Sequence, residues 1–225
     1  MTLQDIIDAT RYRLSNFEKP YLWLDSELVF YANKAIDVIC RDGKILEDAA
    51  TASVCQFSTV VGQYDYLLSP LIIYIKSVGF VDSNSNTVFL QKYTTEEMDK
   101  YCRGWRTQDN AQPTRYILDY TKGYITFYAP PDAIYTIKMS VIRYPLVQLS
   151  SASMTQTIEI DSVWDSVILD GICYQAFRKR GDNTYSKEAS DTYYAQFRKG
   201  ILDMKKQNNL YESNAQTSGP VGGFI

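Results

Sequence analysis

The sequence predicts an α+β fold in which helices near both ends of the chain flank a long β-type segment. Apolar residues recur at helical spacing before residue 50 and after residue 160, whereas between them the apolar period changes to two. The last residues have no period and are rich in Gly, Asn and Ser, so alone they bury too little apolar surface to fold. We therefore divide the chain into helical residues 1–50, a β module at 51–150, helical residues 151–206 and an extended C-terminal tail at 207–225.

Two amphipathic helices are predicted in the first segment. The first spans 3–15 and ends before Lys19-Pro20, because proline does not continue a helix. Asp25 is predicted to cap the second helix, with Glu27 in its first turn. The apolar stripe of this second helix has three- to four-residue spacing and consists of Leu28, Ala32, Ala35, Ile36 and Ile39.

The β module contains short strands separated by turn signals, which is typical of a small antiparallel sandwich or barrel. A hairpin is predicted where residues 115–120 and 123–128 flank a tight turn. Residues 135–141 alternate between apolar and polar and predict a strand with one buried face. Thr94 and Glu97 have the spacing of a capping box, so a short helix is predicted to begin after Thr94.

Two further helices are predicted before the tail. The first runs from about Trp164 to Phe177, and the second covers about 184–206. The tail that follows lacks periodicity, yet it contains apolar residues that a purely solvating segment would not need. These residues are Leu210, Tyr211, Val221, Phe224 and Ile225.

The composition excludes several kinds of chemistry. The chain contains no histidine, which excludes Ser-His-Asp and Cys-His catalysis and mixed Cys/His zinc sites. It also lacks the glycine-rich motifs that bind phosphate groups. We therefore predict neither a cofactor nor a metal. The cysteines form no C-x-x-C pair and are expected to be free, buried thiols in a reducing compartment; they are Cys40, Cys55, Cys102 and Cys173.

The charge and hydropathy patterns bear on partners and location. The formal net charge of −3 does not favour nucleic acid as the main ligand, because phosphate binding needs basic side chains. No apolar run approaches the roughly 20 residues of a membrane helix, and the N-terminus lacks the basic and apolar regions of a signal peptide. We expect a soluble protein that is made in the cytoplasm and does not enter a membrane.

Two pairs of neighbouring carboxylates were weighed as catalytic groups. Glu96 and Glu97 are adjacent on a predicted helix, where neighbours do not face each other, and Glu97 is better explained by the capping box. Glu159 and Asp161 are more typical of a solvated approach to the next helix. No catalytic residue is predicted.

The chain has one basic cluster, formed by Arg178, Lys179 and Arg180. It lacks interleaved aromatic residues and has Asp182 beside it, which is unlike a nucleic-acid patch. Such a cluster more often completes the C-terminus of a helix or forms ion pairs at a rim.

Several short sequence motifs resemble, in their order and spacing, those of tailed-phage head-to-tail connector proteins, which are also called adaptor or head-completion proteins. The word around Trp164 is similar to the start of that family's third helix. The other words are Trp23-Leu24-Asp25-Ser26-Glu27-Leu28, Tyr31-Ala32-Asn33-Lys34-Ala35, Gly62-Gln63-Tyr64-Asp65-Tyr66-Leu67, Thr95-Glu96-Glu97-Met98-Asp99 with Trp105, Pro113-Thr114-Arg115-Tyr116 and Gly123-Tyr124-Ile125-Thr126-Phe127-Tyr128-Ala129-Pro130-Pro131. Together they extend the resemblance over nearly all of residues 3–206.

The resemblance implies a helical bundle made from both ends of the chain, with the β module inserted between the second and third helices. The core of that bundle would contain Leu28, Ala32, Ile36, Trp164, Ile168 and Phe197.

The resemblance also implies a structural virion protein, not an enzyme, at the neck where head and tail meet. Family members form a homo-oligomeric ring, usually a dodecamer, below the portal protein, and the C-terminal tail reaches the portal. This assigns portal binding to Leu210, Tyr211, Val221, Phe224 and Ile225. The β module would face tail tube, nozzle or tail-fibre proteins. Arg178, Lys179 and Arg180 would contact a neighbouring subunit or, non-specifically, the DNA passing through the channel.

Two other classes stay open from the sequence. A peptidoglycan-cleaving virion component would use Glu159 and Asp161. A free-standing binding module, for example for carbohydrate, predicts a folded monomer whose tail is dispensable. A connector predicts instead that deleting residues 207–225 abolishes portal binding and leaves the fold intact.

Overall fold

The computed structural model describes residues 1–82, 86–181 and 183–217. The chain divides into two compact units. The helical unit consists of Met1–Leu46 and Pro145–Ile225, and the β unit consists of Glu47–Tyr144. The α+β class and the pairing of N- and C-terminal helices around an inserted β region are therefore confirmed.

The helices have the following bounds: α1, Leu3–Arg13; α2, Asp25–Val38, continued by a π-helical turn at Ile39–Gly43; α3, Ala52–Cys55; α4, Thr95–Tyr101; α5, Asp165–Ala176; and α6, Lys187–Thr217. Short 3₁₀ turns lie at Trp105–Thr107 and Ser162–Trp164. Helix α6 was predicted to end near residue 206, but it continues to Thr217. The reason is that residues 207–217, although polar, contain neither Gly nor Pro; the first helix breakers are Gly219 and Pro220.

A carboxylate three residues after the cap position accepts the backbone N–H of the cap residue at the start of both α1 and α2, but only α1 has a polar cap residue. Thr2 caps α1, and its backbone N–H donates to the Asp5 carboxylate at 2.9 Å. The prediction that Asp25 caps α2 is wrong. Asp25 is the first helical residue, and its carboxylate pairs with Arg11 instead. Glu27 supplies the cap by accepting the backbone N–H of Leu24 at 2.8 Å.

Helix α5 is the centre of the helical unit, because it packs against α1, α2 and α6. Gly171 permits this close approach. A Cβ atom there would lie 2.7 Å from the Ala35 Cβ and 2.8 Å from the Phe197 ring. Gly200 of α6 allows a similar approach, since a Cβ atom would lie 2.6 Å from a Val167 methyl group. At Gly171 and Gly200 the backbone of one helix thus lies directly against side chains of its neighbour.

The strands have the following bounds: β1, Glu47–Asp48; β2, Gln56–Ser58; β3, Asp65–Leu67; β4, Ile72–Val81; β5, Thr87–Phe89; β6, Gln91–Tyr93; β7, Arg115–Ile117; β8, Tyr124–Tyr128; and β9, Thr136–Arg143. They form two sheets. The first has the order β1-β9-β4-β5, with β2 also paired to β9, and the second has the order β3-β8-β7-β6.

All these pairings are antiparallel except that of β6 with β7. The chain between these two strands includes α4 and the turn at Trp105–Thr107, which makes it long enough to return the chain for parallel pairing. The predicted hairpin of residues 115–128 is confirmed as β7 and β8. The predicted capping box at Thr94 and Glu97 is confirmed at the start of α4.

The two sheets share one apolar core. Phe80 and Ile137 contribute to it from the first sheet, and Tyr66, Ile125 and Phe127 contribute from the second. The alternation predicted for residues 135–141 is confirmed in β9, where Ile137, Met139 and Val141 are buried and Thr136 and Lys138 are exposed. The β module is therefore built from two facing sheets.

The two ends of the β unit lie side by side in one sheet. Glu47 pairs with Ile142 and Asp48 pairs with Val141. The chain thus enters this unit on β1 and leaves it on the neighbouring strand β9.

Candidate interaction surfaces

The predicted core positions of the helical unit are largely buried. Leu28, Ala32 and Ile168 are completely inaccessible, and Ile36 and Phe197 are nearly so. Trp164 is only half-buried, because it lies in the 3₁₀ turn that precedes α5. Trp23 takes the inward position instead, with its indole N–H donating to the carbonyl of Ala176 at 3.0 Å.

Helix α6 has an inner part that packs and an outer part that is exposed. Phe197, Ile201 and Met204 are buried against the unit. Further along α6, the side-chain amide of Asn208 donates to the carbonyl oxygens of Lys44 (3.1 Å) and Gly43 (3.3 Å). These carbonyls belong to the end of the π-helical turn, where Lys44 adopts a left-handed conformation with φ of 56°. Asn208 therefore fixes α6 to the end of α2.

The predicted tail contacts fall on the outer part of α6 and beyond it. Leu210 is 63% exposed. Tyr211 lies in the same helix. Val221, Phe224 and Ile225 lie outside the described residues. The structure thus presents at least one of the predicted apolar contacts on a helical surface that begins just after Asn208.

The three residues of the basic cluster lie in different environments and make different contacts. The Lys179 ammonium donates to the carbonyl of Leu22 at 2.7 Å and pairs with Glu27 at 2.8 Å, so it holds the start of α2. Arg178 donates to the Tyr174 hydroxyl at 2.8 Å, and Arg180 is exposed.

Arg178 and Arg180 also line a cleft of about 620 Å³ at the turn between α5 and α6. Lys187 lies in the same cleft and pairs with Asp191 at 2.8 Å. The sequence analysis did not include Lys187, although its spacing from Asp191 is that of an ion pair on a helix. Arg178 and Arg180 give the cleft a basic side that suits a carboxylate or phosphate group, whereas Asp191, which also lines the cleft, balances the charge of Lys187.

The carboxylates that were weighed for catalysis have local structural roles. Glu97 caps α4. Glu159 accepts the backbone N–H of Leu146 at 2.6 Å, and Asp161 accepts that of Val163 at 3.2 Å. A groove of about 650 Å³ runs beside Glu159, but Asp161 does not line it. These two acids therefore do not face each other across a cleft.

The cysteine thiols are buried, as predicted. Burial raises the pKa of Cys55 to about 11 and that of Cys173 to about 12, so both stay protonated and unreactive at neutral pH. Across the described residues, no group of three or more His, Cys, Asp and Glu side chains is arranged to hold a metal ion. None of the helices in the described parts of the chain is long and apolar enough to cross a membrane.

Comparison with known proteins identifies a family over nearly the whole chain. The family model described as SU10 adaptor protein matches residues 1–221 of the chain. The match therefore spans the helical segments at both ends as well as the inserted β unit. A search of the curated proteins returns no match.

Proposed function

The chain belongs to the SU10 adaptor protein family, the head-tail adaptors of phages, and on this premise we propose that it forms a ring that joins the portal to the tail. It is a structural protein of the virion. The match over 1–221 carries the proposal, because it covers both the helical unit and the inserted β unit. In the ring, usually of twelve copies in the family, the genome passes through the channel at the neck.

Portal docking is assigned to the outer part of α6 and the residues after it. Leu210 supports this assignment, since it is exposed beyond the Asn208 contact on a helix that is anchored in the core. An exposed apolar side chain on an anchored helix suits a groove on a partner. Tyr211, Val221, Phe224 and Ile225 would extend the contact along the portal.

The distal partners are assigned to the β unit. Its edge strand β5 carries exposed apolar side chains, among them Val88 and Phe89, and exposed aromatic residues are enriched at protein interfaces. Tail tube, nozzle or tail-fibre proteins would bind there. The basic cleft at Arg178, Arg180 and Lys187 would contact a neighbouring subunit or the DNA backbone.

The portal assignment is tested with two matched leucines. Leu210 and Leu202 are both more than half exposed on α6, so neither change should unfold the protein. Leu210→Asp is expected to weaken binding to the purified portal at least tenfold in a sedimentation or pull-down assay, whereas Leu202→Asp should retain it. Deletion of residues 218–225 should also weaken binding. If Leu210→Asp bound the portal as tightly as the unmodified chain, portal docking could not be assigned to this part of α6.

The ring itself is tested by negative-stain imaging of the chain incubated with its portal. Closed rings at the portal are expected. A chain that binds the portal as scattered single copies, or that does not bind at all, would contradict the proposed function.

A further inference from the structure

The two ends of helix α5 carry uncompensated charges of opposite sign. At the C-terminal end lies the basic cleft, whose charged lining consists of Arg178, Arg180, Lys187 and Asp191. Lys187 and Asp191 pair with each other at 2.8 Å. Within the part of the chain that the structure describes, neither arginine forms an ion pair. The cleft therefore keeps two positive charges for a partner.

One arginine of the basic cleft is held in place by α5. The guanidinium of Arg178 donates to the Tyr174 hydroxyl at 2.8 Å and lies 5.3 Å from the centre of the Tyr174 ring. The buried Ser190 donates its hydroxyl to the carbonyl of Tyr174 at 3.3 Å and ties α6 to α5 beside the cleft. Arg178 is therefore preorganised, which lowers the entropy lost when it binds a partner.

Four carboxylates lie at the N-terminal end of α5, where α1 also begins. We call them the acidic corner and define it as Asp5, Asp8, Asp161 and Asp165. Asp5, Asp8 and Asp161 are exposed, and Asp8 follows Asp5 by one turn on the same side of α1. Among the described residues, no ion pair involves any of the four. The corner therefore presents negative charge that the molecule itself does not neutralise.

Asp165 responds to this excess of negative charge. One oxygen of its carboxylate is buried and accepts no hydrogen bond from any described residue. Burial raises the pKa of Asp165. The amino group of Met1 opposes that rise, but the carboxylates of Asp161 and Asp5 add to it, and the net direction is upward. A cation that approached the corner from outside would offset the repulsion and favour the ionised form.

The basic cleft and the acidic corner complement each other but do not meet within one molecule. The 12 residues of α5 separate them by roughly 17 Å. Each also carries an exposed apolar side chain among its charges, Tyr185 in the cleft and Val163 at the corner. Hydrogen bonds from arginine to carboxylate are of the strong, charge-assisted kind. Two different, complementary surfaces on one chain produce a head-to-tail contact, and such contacts can close into rings.

A second copy suits the cleft better than the DNA backbone does. A nucleic-acid surface gathers several cations on one face, whereas this cleft has two uncompensated arginines and contains the carboxylate of Asp191. The net charge of the chain is also negative. The acidic corner of another copy supplies a small number of carboxylates, which matches the two arginines.

We propose that the basic cleft of one copy binds the acidic corner of the next copy, with Arg178 and Arg180 donating to the exposed carboxylates. The contact rests on the ring of the proposed function and names the charges that join its subunits. Exposed ion pairs are individually weak and are screened by salt. The contact should therefore gain strength when a ring closes or the portal aligns the copies, and it should weaken as the salt concentration rises.

Exchanging the charges gives a test with its own rescue. The cleft variant carries Arg178→Glu with Arg180→Glu, and the corner variant carries Asp8→Lys with Asp161→Lys. Each variant alone sets like charges against each other, so the number of rings on the purified portal in negative-stain images should fall at least tenfold. An equimolar mixture should restore the rings, because copies that alternate around a ring of even number have opposite charges at every contact. All four positions are exposed, and thermal midpoints near that of the unmodified chain should show that both variants fold.

A matched control makes the same change in net charge elsewhere. Lys122→Glu with Lys199→Glu alters two exposed positions outside both surfaces. This control should form rings on the portal as the unmodified chain does. If it lost rings to the same extent as the cleft variant, total charge and not the cleft would control assembly, and the proposed contact would be wrong.

A zero-length cross-link locates the contact directly. Arg180→Lys keeps the positive charge and supplies an amine that a carbodiimide joins to a carboxylate in contact with it. Rings made from isotope-labelled and unlabelled copies should give mixed peptides that connect residue 180 of one copy to Asp5, Asp8 or Asp161 of another. Mixed peptides that connect residue 180 only to other parts of the chain would contradict the assignment of the acidic corner.

The contact and the adaptor function fail in different ways. Normal rings formed by the cleft variant or the corner variant would overturn the contact and leave the adaptor function intact. So would folded variants whose mixture forms no rings. If the cleft variant formed normal rings but bound duplex DNA less tightly than the Lys122→Glu, Lys199→Glu control, the cleft would be a DNA contact instead. Absence of rings with the unmodified chain would overturn the adaptor function and this contact with it.

Discussion

The carboxylate of Asp48 accepts a 2.6 Å hydrogen bond from the guanidinium of Arg143, and the two side chains are only 6% and 10% exposed. Asp48 also accepts the backbone N–H groups of Ala50 and Thr51, at 2.9 and 3.0 Å. Burial by itself would raise the pKa of Asp48. The hydrogen bonds from Thr51, Arg143 and Ala50 outweigh it and hold that pKa well below its ordinary value. This pair joins the strand that enters the β unit to the strand that leaves it.

Replacing Asp48 should therefore destabilise the β unit strongly. Asp48→Asn removes the negative partner from this buried ion pair, and breaking a buried ion pair typically costs about 3–5 kcal/mol. The free energy of unfolding from urea titration at pH 7 should fall by that order. Asp109→Asn, at an exposed position, is the control and should change it by less than about 0.5 kcal/mol. A similar small effect for both changes would show that the ion pair does not stabilise the unit.

The same pair predicts how stability depends on pH. Because the pKa of Asp48 is lower in the folded state, its contribution is complete above the unfolded pKa, near 4, and is lost as the pH falls through the folded value. The unmodified chain should lose stability steadily below about pH 4. Asp48→Asn should show a smaller slope of unfolding free energy against pH in that range, and equal slopes would contradict the assignment.

Gly171 should not tolerate even one added methyl group. An alanine Cβ atom would approach Ala35 and the Phe197 ring to less than 3 Å, and overpacking of this kind costs about 1–3 kcal/mol. That cost exceeds the gain of about 1 kcal/mol in helix propensity, so Gly171→Ala should lower the thermal midpoint. Ser166→Ala, at an exposed position of the same helix, should not. A more stable Gly171→Ala variant would mean that α5 can move away from α2 and α6.

Asn208 should control the order of the outer part of α6. Asn208→Ala removes the hydrogen bonds to the carbonyls of Gly43 and Lys44, at a cost of about 1 kcal/mol. Amide hydrogen exchange in residues 205–217 should become severalfold faster. Asn209→Ala is the matched control, because its side chain is exposed. Unchanged exchange in Asn208→Ala would show that packing of Met204 alone holds the helix.

The adjacent cations Lys179 and Arg180 should differ in their effect on stability. Lys179→Met breaks contacts with Leu22 and Glu27 that hold the start of α2, so unfolding free energy should fall by about 0.5–1 kcal/mol. Arg180→Met, at an exposed position, should leave it unchanged. The opposite ranking in urea titrations would contradict the division of the basic cluster.

Local patterns predicted much of this fold. The three- to four-residue spacing located α2 and α5, because the buried face of a helix is visible in its own sequence. The alternation of apolar and polar residues located β9, because successive side chains of a strand point to opposite faces. The spacing of Thr94 and Glu97 located the start of α4, because a capping box is formed by two residues three positions apart. Each of these features depends on residues that lie within a few positions of one another.

The features that could not be predicted from the sequence depend on residues that are far apart in the chain. Asp25 has the right chemistry for a cap, but Arg11, from another helix, takes its carboxylate. The parallel pairing of β6 with β7 depends on the path of the chain through α4.

The pairing of Glu47 with Ile142 has a consequence for how the β unit can be exchanged. An insert whose first and last strands are neighbours imposes almost no distance on the chain that hosts it, so a different domain can occupy the same place. Exchange of the whole insert would leave the two attachment points on the helical unit side by side, as they are in this chain. The β unit can therefore diverge in sequence, or be replaced, independently of the helices that carry it.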